Sequence, residues 1–302
     1  MRSPLKLGII ASAIVAALAA THTDSLRWRW DVLILKAGGN LPLSWSETLG
    51  GLSLCARGDC SRQLVRGEVT LLRYEPQNAC PVVWRTPYGE MRSFFEDRNV
   101  LRHFVASSWM HDSRAPQISK GDTAIEIGAW LGVFTRFALS RGATLVVAIE
   151  PVPQNLACFK QNVAAELASG KVHLVEAAAW DKAVEVNMSN VGPYNPEGSF
   201  KGFSVTADGP LQASAVRIDD VIAELQLGRV DFINLDVEGG EPHALAGASE
   251  TIRRFKPSIV SCIHHVEGDR DRIPEIILGL EPHYQVLKTS LQGYFTQPGN
   301  GA

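Results

Sequence analysis

No CxxC pair occurs in this chain. No stretch gathers lysine and arginine, and no apolar run reaches the length of a membrane span. The five cysteines, Cys55, Cys60, Cys80, Cys158 and Cys262, are odd in number and irregular in spacing. This excludes a zinc module built on CxxC pairs and a small disulfide-framed domain. Cys55 and Cys60 could pair within one loop, or with Cys80, but the pattern favours reduced thiols of a cytosolic protein. The formal net charge over 302 residues is −3. Without a basic footprint, nucleic acid is not an expected partner. Internal repeats and low-complexity tracts are absent too, and the chain is long enough for one large globular domain with an appendage, or for two modest ones.

The longest apolar run is LGIIASAIVAALAA, Leu7 to Ala20, preceded by Arg2 and Lys6. It is shorter than the roughly 20 residues a spanning helix needs. Ala17–Ala19 would suit a signal peptidase. Signal peptide, membrane anchor and packed helix are three readings of it, and they define a first segment, residues 1–24. Residues 25–116 follow as an N-terminal α+β cap. A helix is expected early in it, then short strands near Leu64–Tyr74 and Val82–Arg85, a turn at TPYGEM, and a helix over Phe94–Met110.

From residue 117 to 302 the pattern alternates strand and helix. Strands are expected at Ala124–Ile127, Leu145–Ile149, Val172–Val175, Phe232–Leu235, Ser258–Ile263 and Gln285–Leu287. Helices are expected near 131–140, 153–167, 218–226, 240–254 and 272–280. Such alternation implies an α/β, Rossmann-like fold with a mostly parallel sheet covered on both faces. Lys182–Ala215 interrupts it with a polar stretch long enough to hold strands or a lid.

The stretch GDTAIEIGAWLGVFTRFALSRGATLVVAIEP, Gly121 to Pro151, has the outline of a nucleotide-binding βαβ unit. Its turn reads Glu126-x-Gly128-x-x-x-Gly132, with Ala129 inside it, where a dinucleotide fold would have GxGxxG. A carboxylate at the strand end repels phosphate and attracts a cation. S-adenosyl-L-methionine fits: it carries an ammonium and a sulfonium and no phosphate. Glu150 ends the second strand, at the spacing of an acid that accepts ribose hydroxyls. Trp130 and Trp180 are placed to flank adenine, although aromatics at such positions are more often core.

A second block, VDFINLDVEGGEPHALAGA (Val230–Ala248), closely resembles the signature of the FkbM-type methyltransferases. The GDTAIEIGAWLGVFT turn, AVRIDDVIAEL and TPYG resemble other parts of that family's pattern, so the likeness runs from about Thr86 to Lys288. It implies a class I methyltransferase fold with a seven-stranded sheet, S-adenosyl-L-methionine as cofactor, and methyl transfer, usually to a hydroxyl oxygen. Carried over by position, Glu126, Gly128, Ala129 and Gly132 match the cofactor turn and Glu150 the ribose acid. Glu176 and Ala177 open the segment that contacts adenine. Asp236 and Glu238 match acids at the active end of the fourth strand. Two positions depart from the pattern: Asn234 stands where lysine is common, and Cys262 where an acid often precedes the fifth strand's end.

A hydroxyl is a poor nucleophile, so a base near the acceptor is expected. Asp236, Glu238, His264 and His265 are candidates, because all lie at or beyond C-terminal strand ends. Adjacent histidines on a strand point to opposite sides, so one at most faces the site. The same acids could hold a divalent metal. No further ligand cluster is legible, and direct base catalysis is preferred with no metal assigned. The expected acceptor is a small molecule or a glycan, including a lipid-linked one. A nicotinamide-dependent oxidoreductase and a non-catalytic cofactor-binding relative are the alternatives. The cofactor is a cytosolic metabolite, so the domain is expected to stay cytoplasmic, with membrane association through Leu7–Ala20 left open.

Overall fold

The computed structural model describes residues 69–94, 101, 105, 108–190 and 202–298. They fall in one compact unit, Glu68–Ala302. Leu7–Ala20, Cys55, Cys60 and the helix expected early in the cap lie outside the described residues, as does most of the helix expected over 94–110. That last segment ends in a described 3-10 turn, Ser108–His111.

Three short strands come first: β1 (Thr70–Tyr74), β2 (Val82–Thr86) and β3 (Gly89–Ser93), paired antiparallel in that order. Then β4 (Thr123–Ile127), α1 (Val133–Ser140), β5 (Leu145–Ile149), α2 (Pro153–Asn162), α3 (Ala164–Ala168) and β6 (Val172–Val175) form two parallel crossovers. All five residues of β4 are buried, as befits a central strand covered on both faces. β7 (Ala178–Ala179), β8 (Val184–Asn190), β9 (Phe203–Val205) and β10 (Leu211–Val216) lead into α4 (Ile218–Glu224) and β11 (Phe232–Leu235). The chain continues through α5 (Glu241–Gly247), α6 (Ser249–Phe255), β12 (Ser258–Cys262), α7 (Asp269–Leu280), β13 (Gln285–Lys288) and β14 (Gln292–Thr296).

The large sheet has seven strands in the order β13-β14-β12-β11-β4-β5-β6. β11, β12, β4, β5 and β6 are parallel neighbours, and β14 runs antiparallel to both β12 and β13. The Rossmann-like architecture is therefore as expected. The strand missing from the sequence reading is β14, whose Gln-Gly start and flanking turn mask a short buried run. The chain leaves β4 toward β5 and β6, then returns to place β11 on the other flank of β4. That reversal opens a crevice at the carboxyl ends of β4, β5 and β11, where open α/β sheets bind ligands.

The stretch Lys182–Ala215 builds a second sheet, ordered β7-β10-β8-β9. Met188 and Val186 pack beneath it with Ala178 and Ala215. The AVRIDDVIAEL block has a structural use as well. Asp219 is buried and accepts N–H bonds from Glu250 and Thr251, together with the Thr251 hydroxyl, so it caps α6 from the neighbouring helix.

The expectation of reduced thiols is overturned for two cysteines. Cys80, just before β2, and Cys158 on α2 form a disulfide across 78 residues of chain, and both are fully buried. Spacing gave no sign of it, because the fold brings the first hairpin onto α2. Residues of that hairpin share one core with α1 and α2, around Trp84, Met91, Phe134 and Phe159. A closed loop of this length contributes about 4 kcal/mol in the chain-entropy model. Reduction should therefore lower the melting temperature by roughly 10 °C. Non-reducing peptide mapping that finds both residues as free thiols would refute the pairing.

Candidate active site

A partly open cleft lies over the crevice. Gly128 forms its floor, Glu150, Pro151, Val152 and Asn155 one wall, and Asp236, Val237 and Glu238 the opposite wall. Met188, Phe203 and Val205 of the second sheet cover it. The lining is mainly apolar with a few convergent polar groups, the usual composition of a small-molecule site.

On the first wall, Glu150 ends β5 and is buried. Its carboxylate accepts N–H bonds from Trp130 (2.8 Å), Val152 (2.9 Å) and the Asn155 side chain (3.0 Å). Burial pushes its pKa up to about 7 against the pull of these bonds. Trp130, which gives it a backbone N–H, adopts left-handed backbone (φ 46°), a conformation that is costly for a bulky residue. Trp180 also lines the cleft, and its ring stacks on His243 at 3.9 Å.

The turn itself is divided. Gly128 lies against the cleft, and the N–H groups of Gly128 and Ala129 both bond the carbonyl of Ile149. Glu126 points away from the cleft, buried against the Thr135 hydroxyl of α1, which donates to it. Burial holds this carboxyl well above the ordinary range. Asn234 stands directly opposite Glu126 in the β4–β11 register. A lysine at that position would lie beside the acid; asparagine leaves it without a cation. Gly132 packs under Phe159, and Ala177 is buried outside the lining. Glu176 is half exposed and pairs with Lys160 at 2.7 Å. The next residues, Ala178 and Ala179, are the ones that line the cleft.

On the second wall, the Asp-x-Glu-Gly block turns sharply after β11. Glu238 is in left-handed backbone (φ 53°), and its carboxylate accepts the Gly202 N–H at 2.9 Å, tying the block to the start of β9. Burial, with the charge of Asp236 beside it, raises the Glu238 carboxyl above its usual range. Glu241 is completely buried. It accepts the backbone N–H groups of Val237 (3.1 Å) and Gly239 (2.9 Å) and bonds His265 Nδ1 at 2.7 Å. Because Glu241 faces Nδ1, the other ring nitrogen of His265 turns toward Asp236 Oδ1 (3.4 Å) and Glu238 Oε2 (3.6 Å). Burial pulls the His265 pKa down, but the Glu241 bond and the charges of Asp236, Glu241 and Glu238 outweigh it, pushing it up to about 9. His264 is exposed and bonds the Leu291 carbonyl at 3.0 Å. Cys262 is buried beneath, its thiol pushed well up by burial and by these acids.

The structure thus brings together Asp236, Glu238 and His265 of the four candidate bases; the His264 ring lies 4.5 Å from that of His265 but is exposed and bonded to the Leu291 carbonyl. Glu241 and Asn155 were missed as site residues. Glu241 could have been suspected from its place directly after the pair Gly239-Gly240, in a run of acids; Asn155 carried no signal, since its role arises only when α2 meets the end of β5.

Residues 120–288 match the family model described as the methyltransferase FkbM domain, more than half of the chain. The 31-O-demethyl-FK506 methyltransferase FkbM of Streptomyces tacrolimicus is 25% identical over 217 residues, covering 62% of this chain and 78% of that protein. The 2-O-methyltransferase NoeI of Sinorhizobium fredii is 25% identical over 185 residues, covering 55% of this chain and 72% of its own length. Among solved structures, the methyltransferase FkbM from Methylobacillus flagellatus KT aligns with a TM-score of 0.47 at 18% identity. That alignment covers 66% of this chain, which spans about half (53%) of the neighbour's length. The chain belongs to the FkbM methyltransferase domain family and is an S-adenosylmethionine-dependent methyltransferase.

Proposed function

We propose that this enzyme methylates a hydroxyl oxygen of a small-molecule or glycan acceptor, with S-adenosyl-L-methionine held in the cleft between Glu150 and Asp236. The observation that carries this reading is the pairing of walls over Gly128. One ends in a buried carboxylate suited to ribose hydroxyls, and the other in a cluster of carboxylates around a histidine. The names of the two relatives, both O-methyltransferases, support oxygen as the acceptor atom. A nicotinamide cofactor is the poorer fit, because the second wall places carboxylates where a pyrophosphate would lie.

The residues present suit the cofactor. Gly128 lets the ligand approach the backbone, Glu150 is positioned for the ribose, and Pro151, Val152 and Ala178 offer an apolar slot for adenine. Glu238 presents negative charge toward the cationic methionine end, and Asp236 stands beside it on the acceptor side of the cleft. When bound, the cofactor supplies a methyl carbon on a sulfonium; the acceptor oxygen bonds that carbon as the carbon–sulfur bond breaks, and sulfur keeps the electron pair. The protein's part is to align the acceptor and to take its hydroxyl proton. Asp236, Glu238 and His265 are grouped for that task, and Glu241 fixes which ring nitrogen of His265 faces it.

S-adenosylhomocysteine should raise the melting temperature, since a ligand that binds only the native state stabilises it. NAD should not. No shift with millimolar S-adenosylhomocysteine would overturn the cofactor assignment, and a radiolabelled methyl-transfer assay on a glycan panel would identify the acceptor class. Glu150→Ala should weaken S-adenosylhomocysteine binding by on the order of 1–3 kcal/mol, the cost of unpaired ribose hydroxyls. Unchanged affinity would put Glu150 outside the ribose contact.

The pH dependence follows from the same residue. A carboxyl raised from about 4.5 to about 7 holds its proton longer in the folded, ligand-free protein. Its contribution to stability therefore declines as pH rises from about 4.5 to about 7. Ribose hydroxyls donate to the ionised form, so the ligand favours loss of that proton. Affinity for S-adenosylhomocysteine should be full above pH 7 and fall below it. Titration calorimetry across pH 5.5–8.5 checks this, and Glu150→Gln should flatten the curve.

A further inference from the structure

We infer that the Cys80–Cys158 disulfide sets how tightly the cleft holds its cofactor, so that reduction of this bond by a dithiol weakens cofactor binding. The inference rests on the cofactor site proposed above and adds to it a redox control that methyl transfer does not itself require.

The helix α2 is the link. Asn155, Cys158 and Asn162 stand three and four residues apart in it, so they lie on one face, and all three are buried. At the start of that face the Asn155 side chain and the N–H of Val152, the N-cap residue, both bond Glu150, at 3.0 and 2.9 Å. At its end the Asn162 amide donates to the Leu131 carbonyl at 2.9 Å, inside the turn that runs from Gly128 to Gly132. Phe159 lies under the same turn: a Cβ at Gly132 would come within 3.1 Å of its ring. One helix thus fixes both the carboxylate meant for the ribose and the glycine turn beside it.

The N-terminal hairpin holds that helix at two points. Cys158 is joined covalently to Cys80, just before β2. Asn162 Oδ1 accepts the Arg92 N–H of β3 at 2.6 Å, and its amide nitrogen reaches the Arg92 carbonyl at 3.1 Å. The Asn162 amide is therefore shared between the hairpin and the cofactor turn. At 3% exposure it has little water to replace a lost partner. The disulfide lies one helical turn before Asn162 and keeps the hairpin within reach of it.

Breaking the S–S bond takes two electrons and two protons from a dithiol, which closes to its own disulfide, and leaves a thiol on each of Cys80 and Cys158. Hairpin and helix then keep only noncovalent contacts and gain freedom. A ligand that needs Glu150 and the turn in one arrangement must offset that freedom, and binds more weakly. Both cysteines are fully buried, so a reductant reaches them only when the hairpin opens from α2. Bound ligand opposes that opening. By linkage, the factor by which reduction weakens ligand binding is also the factor by which the ligand disfavours reduction. A disulfide that serves only the fold shows no such reciprocity while both forms stay folded.

The test compares full-length wild type, oxidised and dithiothreitol-reduced, with Cys80→Ala/Cys158→Ala, which cannot close the bond. Titration calorimetry with S-adenosylhomocysteine is run well below the melting temperature of each form, and circular dichroism checks that each is folded. Affinity should be at least about fivefold weaker in the reduced protein and in the double variant, the low end of couplings between sites. Dithiothreitol should have no further effect on the double variant. In glutathione buffers, with the bond followed by peptide mapping, saturating S-adenosylhomocysteine should lower the equilibrium constant for reduction by the same factor. Equal affinity in all three forms overturns the inference, as does a glutathione equilibrium that the ligand leaves unmoved. Loss of structure on reduction at the assay temperature assigns the bond to the fold alone and also overturns it. Failure of S-adenosylhomocysteine to bind the oxidised wild type is a separate result: it removes the cofactor reading, and this inference with it.

Discussion

Replacing Gly128 by alanine should all but abolish binding of S-adenosylhomocysteine and strongly destabilise the fold. A Cβ built at this position would lie 1.9 Å from the carbonyl oxygen of Asp236, and Gly128 adopts φ +88°. The obstacle is backbone, so no side-chain rotation relieves it. β4 and β11 would have to move apart at the crevice, where Asp236 N–H bonds the Ile127 carbonyl at 3.0 Å. A loss of roughly 3–5 kcal/mol is expected, at the upper end of single substitutions. Gly170→Ala is the control. It shares the left-handed backbone (φ +72°) but meets nothing within 4 Å. Its cost should be only the conformational one, about 1–2 kcal/mol. Denaturant melts of both variants separate the two effects, and equal destabilisation would mean that the close approach of the strands does not matter.

Asp236→Asn should reduce methyl transfer by roughly 10²–10⁴-fold, the range typical of a lost acid–base or charge-stabilising group. Cofactor affinity should hardly change. The backbone of Asp236 serves the fold, through its N–H bond to Ile127 and its carbonyl over Gly128. Its side chain is 37% exposed and reaches into the cleft beside His265. Asparagine preserves the shape and the backbone contacts and removes only the charge. Once an acceptor has been found, single-turnover rates and S-adenosylhomocysteine affinity for the two proteins decide the matter. A parallel fall in both would place Asp236 in cofactor binding or in the fold, away from acceptor chemistry.

The alternation of apolar strands with amphipathic helices was enough to place β4, β5, β6, β11, β12 and β13 within a residue or so, because a strand buried on both faces needs an unbroken apolar run and its neighbours need turn residues. The Asp-x-Glu-Gly block and the acid ending β5 were likewise legible. Both are local: a strand end, a glycine and a charge at fixed spacing. β14 was not, since its pairing to β12 and β13 is decided by the sheet and its own residues are few. The second sheet was legible only as a polar interruption.

What the sequence by itself determined was the alternation of strands and helices along the parallel part of the sheet and the chemical family. What only the tertiary structure decided was which side chains meet. Glu126 lies within β4 and is buried against Thr135, whereas Glu150 lies just beyond β5 and lines the cleft, a difference set by how far along its strand each acid stands. His264 and His265 are adjacent in sequence and keep their rings 4.5 Å apart, yet they take different partners, and it is the buried Glu241, arriving from the start of α5, that fixes the second toward Asp236 and Glu238. Cys80 finds Cys158 because the hairpin folds onto α2. Each of these depends on contacts between residues distant in the chain, and such contacts leave no periodicity or spacing in the sequence to read.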